Sequence, residues 1–325
     1  MHRVIHRDWG EYDVKGNIGG NGALMHQGEI LIVAVLLVLV VGPLLLGLQG
    51  VKSARRSSVV AAPVLPWKLT IASTLLYALA FNLTFFIQEL FLVLPKALTP
   101  GLRPILFHNN HRWEGENPLA SLFQGTGALA IFVTGVICAL LLKLRPPRSA
   151  GWRLFVIWMA YNGFLQALPQ VVIGSVEPEN DVGMAMDYLH LGVVAKTAAA
   201  VVALIAIPVV ALSLRGALLS LAGNAADIAS GRACAAFMFR VATVPALAAI
   251  LLIIPYRVPR NWVEVVAVPV VVTVIGIAWI QAGAWGISQV KASGTLSTRS
   301  IAYAFSALLI LLLVFQFVLR PGVRF

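Results

Sequence analysis

Charge is what this chain has least of. Only 11% of its 325 residues are Asp, Glu, Lys or Arg, against roughly 25% in a soluble domain. That shortage excludes an ordinary water-facing surface. Cysteine is almost missing as well. Cys138 and Cys234 are the two present, both in or beside apolar runs, which argues against a disulfide framework or a zinc finger. Six histidines are too few for the large histidine clusters of membrane hydroxylases. There is no serine nucleophile elbow. The glycine-rich stretch from Gly16 to Gly22 lacks the Lys-Ser/Thr of a phosphate loop and reads as a tether. The long apolar runs lack period-2 alternation, so they are not the strands of a membrane barrel.

What remains is hydrocarbon. Hydrophobic residues make up 59% of the chain, and the mean hydropathy is +0.88. Apolar runs long enough to span a bilayer, about 20 residues each, recur along the whole length. Backbone in hydrocarbon must satisfy its own hydrogen bonds, so these runs predict helices. The fold class is all-α, a polytopic transmembrane bundle of about eight spans with no soluble domain. The spans are expected near 30–48, 69–94, 119–142, 152–173, 189–214, 233–255, 262–285 and 301–319. Residues 1–27 form a tail ahead of a transmembrane domain at 28–320, and 321–325 form a second short tail. The first run spans fully and follows a segment of mixed charge, unlike a cleavable signal. Pro43, Pro169, Pro208, Pro245 and Pro269 fall inside spans, where they should kink helices or loosen a turn.

The net charge is +11. Because the cations cluster at span ends, they predict contact with anionic lipid head groups rather than nucleic acid. Lys52, Arg55, Arg56 and Lys68 follow the first span; Lys143, Arg145, Arg148 and Arg153 follow the third. Short, dense and free of acids, both loops are placed in the cytoplasm. Both termini then face away from it, in a cell's inner (plasma) membrane. The connection Arg215 to Arg232 is expected to lie as a helix on the membrane surface.

The rare polar residues are the candidates for function. His108 and His111 lie three apart in the loop after the second span and would converge on one metal if that loop turned helically. Glu114 and, from the next outward-facing connection, Asp187 and His190 complete a candidate zinc or copper site. Glu89 is a carboxylate within a span, which is costly unless it is paired, neutralised or wet. It is the candidate proton acceptor, general base or metal ligand, with Lys96 as its alternative ion-pair partner. Asn82, Gln124, Asn162, Gln166, Gln170 and Lys196 are candidate cavity-lining groups; the alternative for the amides is interhelical glue.

Three readings follow. The first is a membrane protein with a zinc or copper site on its outer face, hydrolytic or metal-handling. The second is a proton-coupled permease for a small solute, using Glu89. The third is a non-catalytic subunit held among other membrane subunits.

Overall fold

The computed structural model describes residues 29–54, 67–286 and 296–325. The tail at 1–27, the glycine-rich tether and the Arg55-Arg56 pair lie outside them. Among the described residues, eight helices are long and apolar enough to cross a membrane: α1 (Glu29–Ser53), α2 (Trp67–Ala97), α3 (Leu119–Leu144), α4 (Ala150–Gly174), α6 (Val193–Leu219), α7 (Gly231–Arg257), α8 (Glu264–Gly286) and α9 (Thr298–Leu319). A short helix, α5 (Asp181–Tyr188), interrupts the series.

Each expected span falls on one of these helices, with several ends shifted by a few residues. The run placed at 189–214 begins instead at Val193. His190 does not head that helix; it sits with φ of 51° in the turn behind α5, a conformation that ends helices. The Arg215–Arg232 connection opens with a helical stretch at Arg215–Leu219 that continues α6, and Leu218, Leu219, Leu221 and Ala222 are buried.

α4 is the hub, packed against α2, α3, α6 and α8. Of its most apolar window, 78% is buried, against 11% for α1 and 17% for α9. Tyr77, Trp158 and Tyr161 pack edge-on at its centre, with ring centroids 4.9 to 5.7 Å apart. Each polar end finds a partner on another helix, as buried aromatics require. The Tyr77 hydroxyl meets Thr273 Oγ1 at 2.7 Å. That of Tyr161 donates to the Thr273 carbonyl at 2.8 Å. Trp158 Nε1 donates to Ser73 Oγ at 3.0 Å, and Ser73 donates onward to the Val241 carbonyl. One cluster thus ties α2, α4, α7 and α8 together.

Proline is absorbed by widened turns. A π-helical turn at Leu37–Val41 precedes Pro43, and another at Phe239–Thr243 precedes Pro245. Proline donates no hydrogen bond and crowds the carbonyl a turn earlier, which the wider turn relieves. Elsewhere helices approach closely through small residues. A β-carbon built on Gly163 of α4 would stand 2.7 Å from Gly135 Cα and from the Ile131 carbonyl oxygen on α3.

Among the described residues, the strands form one small sheet on the face holding the ends of α2, α7 and α9. Strands β1 (Arg103–Leu106) and β2 (His111–Glu114) form an antiparallel hairpin pairing Arg103 with Glu114 and Leu106 with His111. β3 (Val323–Arg324) returns from the end of α9 to pair with β1. The segment expected as a free tail at 321–325 is therefore a sheet edge.

Gly163→Val should lower the thermal unfolding temperature in detergent, by an amount equivalent to about 1–3 kcal/mol of overpacking. Gly192→Ala, whose β-carbon would meet nothing within 4 Å, should leave it unchanged.

Candidate functional site

Beneath the hairpin lies a buried polar cluster drawn from four elements. α2 supplies Glu89 and Lys96, one helical face apart by seven residues. β2 supplies His111 and Trp113, α3 supplies Gln124, and α5 brings Asp181. Glu89 is 6% exposed, Gln124 4% and Lys96 0%. Alternation along β2 points His111 and Trp113 down while Arg112 and Glu114 face out.

Lys96 is the fixed end of this network. Its ammonium donates to the Leu92 carbonyl at 2.9 Å and to Gln124 Oε1 at 2.8 Å, and it lies 4.6 Å from the centre of the Trp113 ring. That ring stacks on His111 at 5.9 Å. His111 bridges outward from it. Its Nε2 lies 3.0 Å from Gln124 Oε1, and its Nδ1 lies 2.9 Å from Glu89 Oε2.

These contacts settle where the hydrogens sit. An ammonium only donates, so the Gln124 atom it meets is the amide oxygen, and the side chain is not reversed. That oxygen also faces His111 Nε2, so Nε2 carries a hydrogen. The contact between Nδ1 and Glu89 then needs one further proton. Either the imidazolium donates it to a carboxylate, or a carboxylic acid donates it to a neutral ring. The pair is a one-proton site whose two side chains are each 8% exposed.

Other charges face it. Desolvation raises the Asp181 carboxyl above the usual carboxylate range; His111 opposes that shift, Glu89 adds to it and Lys96 opposes it. Arg257 is 3% exposed and lies 4.6 Å over the Phe85 ring. Its Nε and Nη1 have no hydrogen-bond partner. Arg260 pairs with Glu264 and donates to the Asn109 carbonyl.

The predicted site residues are not all brought together. The loop is a hairpin and not a helical turn, so His108 and His111 diverge: His111 is in a strand and His108 in the bend. His108 docks on the connection after α7, where its Nε2 donates to the Val258 carbonyl at 3.0 Å. Its Nδ1 is buried without a partner. Asn109 anchors the same bend through the Arg257 carbonyl at 2.6 Å. Glu114 is exposed on the outer side of β2. His190 and Asp187 are exposed, and Asp187 pairs with Lys196. Among the described residues, no three His, Cys, Asp or Glu side chains are placed to share a metal ion. For His111 to bind zinc or copper, it would have to exchange a protein partner at one ring nitrogen.

The amides bond across the α2–α4 contact. Gln170 Nε2 donates to Gln88 Oε1 at 2.9 Å, and Gln166 Nε2 to the Phe81 carbonyl at 3.2 Å. Asn162 and Asn82 donate to carbonyls one turn earlier, at 3.0 and 2.8 Å. Asp181, Trp113 and Arg257 carry no signal in the sequence that marks them as site residues. Glu89, His111, Gln124 and Lys96 each stand out in the sequence, but nothing there joins them into one cluster. Comparison with family models, curated proteins and solved structures returns no match, so the site is read from its own chemistry.

Two outcomes test this geometry. Gln124→Leu removes the acceptor shared by two buried donors and should cost about 1–3 kcal/mol in unfolding experiments. Desolvation, reinforced by Arg320, Arg260 and Arg257, holds His108 below its ordinary value despite its bond to Val258. The folded state therefore resists the proton that the unfolded state accepts below about pH 6.5. Stability present above that pH should drain away as pH falls toward the folded value. The loss should be smaller in His108→Gln, measured as unfolding temperature against pH.

Proposed function

We propose that this polytopic membrane protein is a proton-coupled permease whose proton site is the Glu89–His111 pair. The observation that supports it most directly is the orientation of Gln124 by Lys96. This leaves one proton to be shared between His111 Nδ1 and Glu89 Oε2. A largely buried carboxylate near the end of a span, with a titratable partner, has the chemistry of a proton relay.

The same proton acts as a latch. While it is present, Nδ1 and the carboxylate attract and the hairpin is held down on α2. Once it leaves, a nitrogen lone pair faces a carboxylate at hydrogen-bond distance and the two repel. The hairpin is then driven off α2, which opens the bundle on this side. The sheet also joins β1 to α9 through β3, so release of one contact loosens several helix ends. Arg257 suggests the class of solute: its buried guanidinium keeps donors without a partner, a positive charge that would favour a small anion such as a carboxylate, carried together with the proton.

The test is uptake into liposomes containing the purified protein, with a panel of small carboxylates and an imposed pH gradient. Accumulation should follow the gradient and collapse with a protonophore. Glu89→Gln should abolish gradient-driven accumulation, His111→Gln should do the same, and His190→Ala should not. Uptake indifferent to the gradient and to Glu89→Gln would overturn the reading.

A further inference from the structure

The face opposite the hairpin carries a second site. A cleft of about 660 Å³ opens between α3 and α6, with α4 as its floor. Its mouth holds Lys143 and Arg153, and its depth is apolar, reaching Val136, Leu140 and Phe164. Lys143 to Val136 is seven residues of helix, about 10 Å of depth at 1.5 Å per residue.

The mouth is built for an anion. Arg153 is half-buried and held in place: its Nε donates to the Pro147 carbonyl at 3.1 Å and its Nη1 to Ser220 Oγ at 3.3 Å. Lys143 stands on the other side, with Arg145 and Arg148 just beyond it. No carboxylate occurs between residues 143 and 153. Trp152 beside them is 59% exposed, as an aromatic at the level of lipid head groups is. The wall is open to the hydrocarbon, since Leu140 is 48% exposed.

A cationic rim above a narrow apolar slot, set at a span end, fits one class of molecule. We propose that this cleft binds an anionic phospholipid, with its phosphate between Lys143 and Arg153 and one acyl chain lying against α4 between α3 and α6. The charge complementarity excludes a zwitterionic lipid as the preferred occupant. The depth of the slot excludes free phosphate.

Native mass spectrometry and thermal unfolding of the full-length protein in detergent test this. The probes are phosphatidylglycerol, phosphatidylcholine and inorganic phosphate. Phosphatidylglycerol should give a retained one-to-one adduct and raise the unfolding temperature, and the other two should not. Lys143→Gln should weaken that binding about tenfold, as loss of one charge-assisted contact does. Gly216→Phe supplies an independent variant. Its β-carbon would meet nothing within 4 Å although Gly216 lines the cleft, so the ring fills the slot without disturbing the fold and should block the adduct. The proposal is overturned if phosphatidylcholine protects equally, if phosphate alone protects, or if both variants bind phosphatidylglycerol as the unaltered protein does.

Discussion

The hairpin face depends on one carbonyl oxygen. Gln124 Oε1 accepts from an ammonium on α2 and an imidazole on β2 at once. In water such a contact would count for little, because solvent would replace either partner. Here Lys96 is wholly buried and water is not at hand. Leaving its charge unpaired would cost several kcal/mol, so the amide cannot turn around. That constraint passes outward. A fixed amide fixes Nε2–H, which fixes the proton shared with Glu89. Lys96 also sits under Trp113, so its charge holds the strand down through the ring face as well as through the amide.

Elsewhere in the bundle the same demand for satisfied polar groups produces rigidity instead of chemistry. The Tyr77–Trp158–Tyr161 cluster and the Gln88–Gln170 pair hold α2 to α4 with neutral groups that each find a partner. Interhelical hydrogen bonds of this kind contribute on average only about 0.6 kcal/mol each. Their effect is to select one packing, because any sliding of α4 against α2 would orphan several of them together. The close contact of Gly163 with Gly135 does the same sterically between α3 and α4. A stiff centre fits the latch proposed for the hairpin face, since displacement of the hairpin would then act on helix ends and not dissipate in the core.

How much of this was legible in the sequence divides along a physical line. The spans were, because hydrocarbon demands long apolar helices and the sequence obeys that demand residue by residue. Glu89 was legible as an anomaly, since a carboxylate in a span is rare whatever its partner. Lys96 was expected as its ion-pair partner, but the ammonium bonds to the Leu92 carbonyl and to Gln124 and leaves Glu89 to His111. The hairpin was not. Its strands are four residues long, too short to show alternation, and its third strand comes from the far end of the chain. Without the hairpin, His108 and His111 read as neighbours three apart on a turn, when strand geometry sends them to different elements. Asp181 reads as one more acid in an acidic loop until α5 folds it back toward His111. Contacts made between distant segments leave no local trace in a single sequence.

The two faces of the bundle differ in how charge is balanced, and that difference assigns their roles. On the hairpin face, Glu89 and His111 meet at 2.9 Å with Asp181, Lys96 and Arg257 around them, so in the proposed function a single proton shifts the balance. On the opposite face, no carboxylate falls among Lys143, Arg145, Arg148 and Arg153 in the sequence, which suits the anionic occupant proposed for the cleft. A site that compensates itself suits a switch, because its two states differ by one internal proton. A cationic rim at a span end suits an anchor, because it draws an anion from outside the chain.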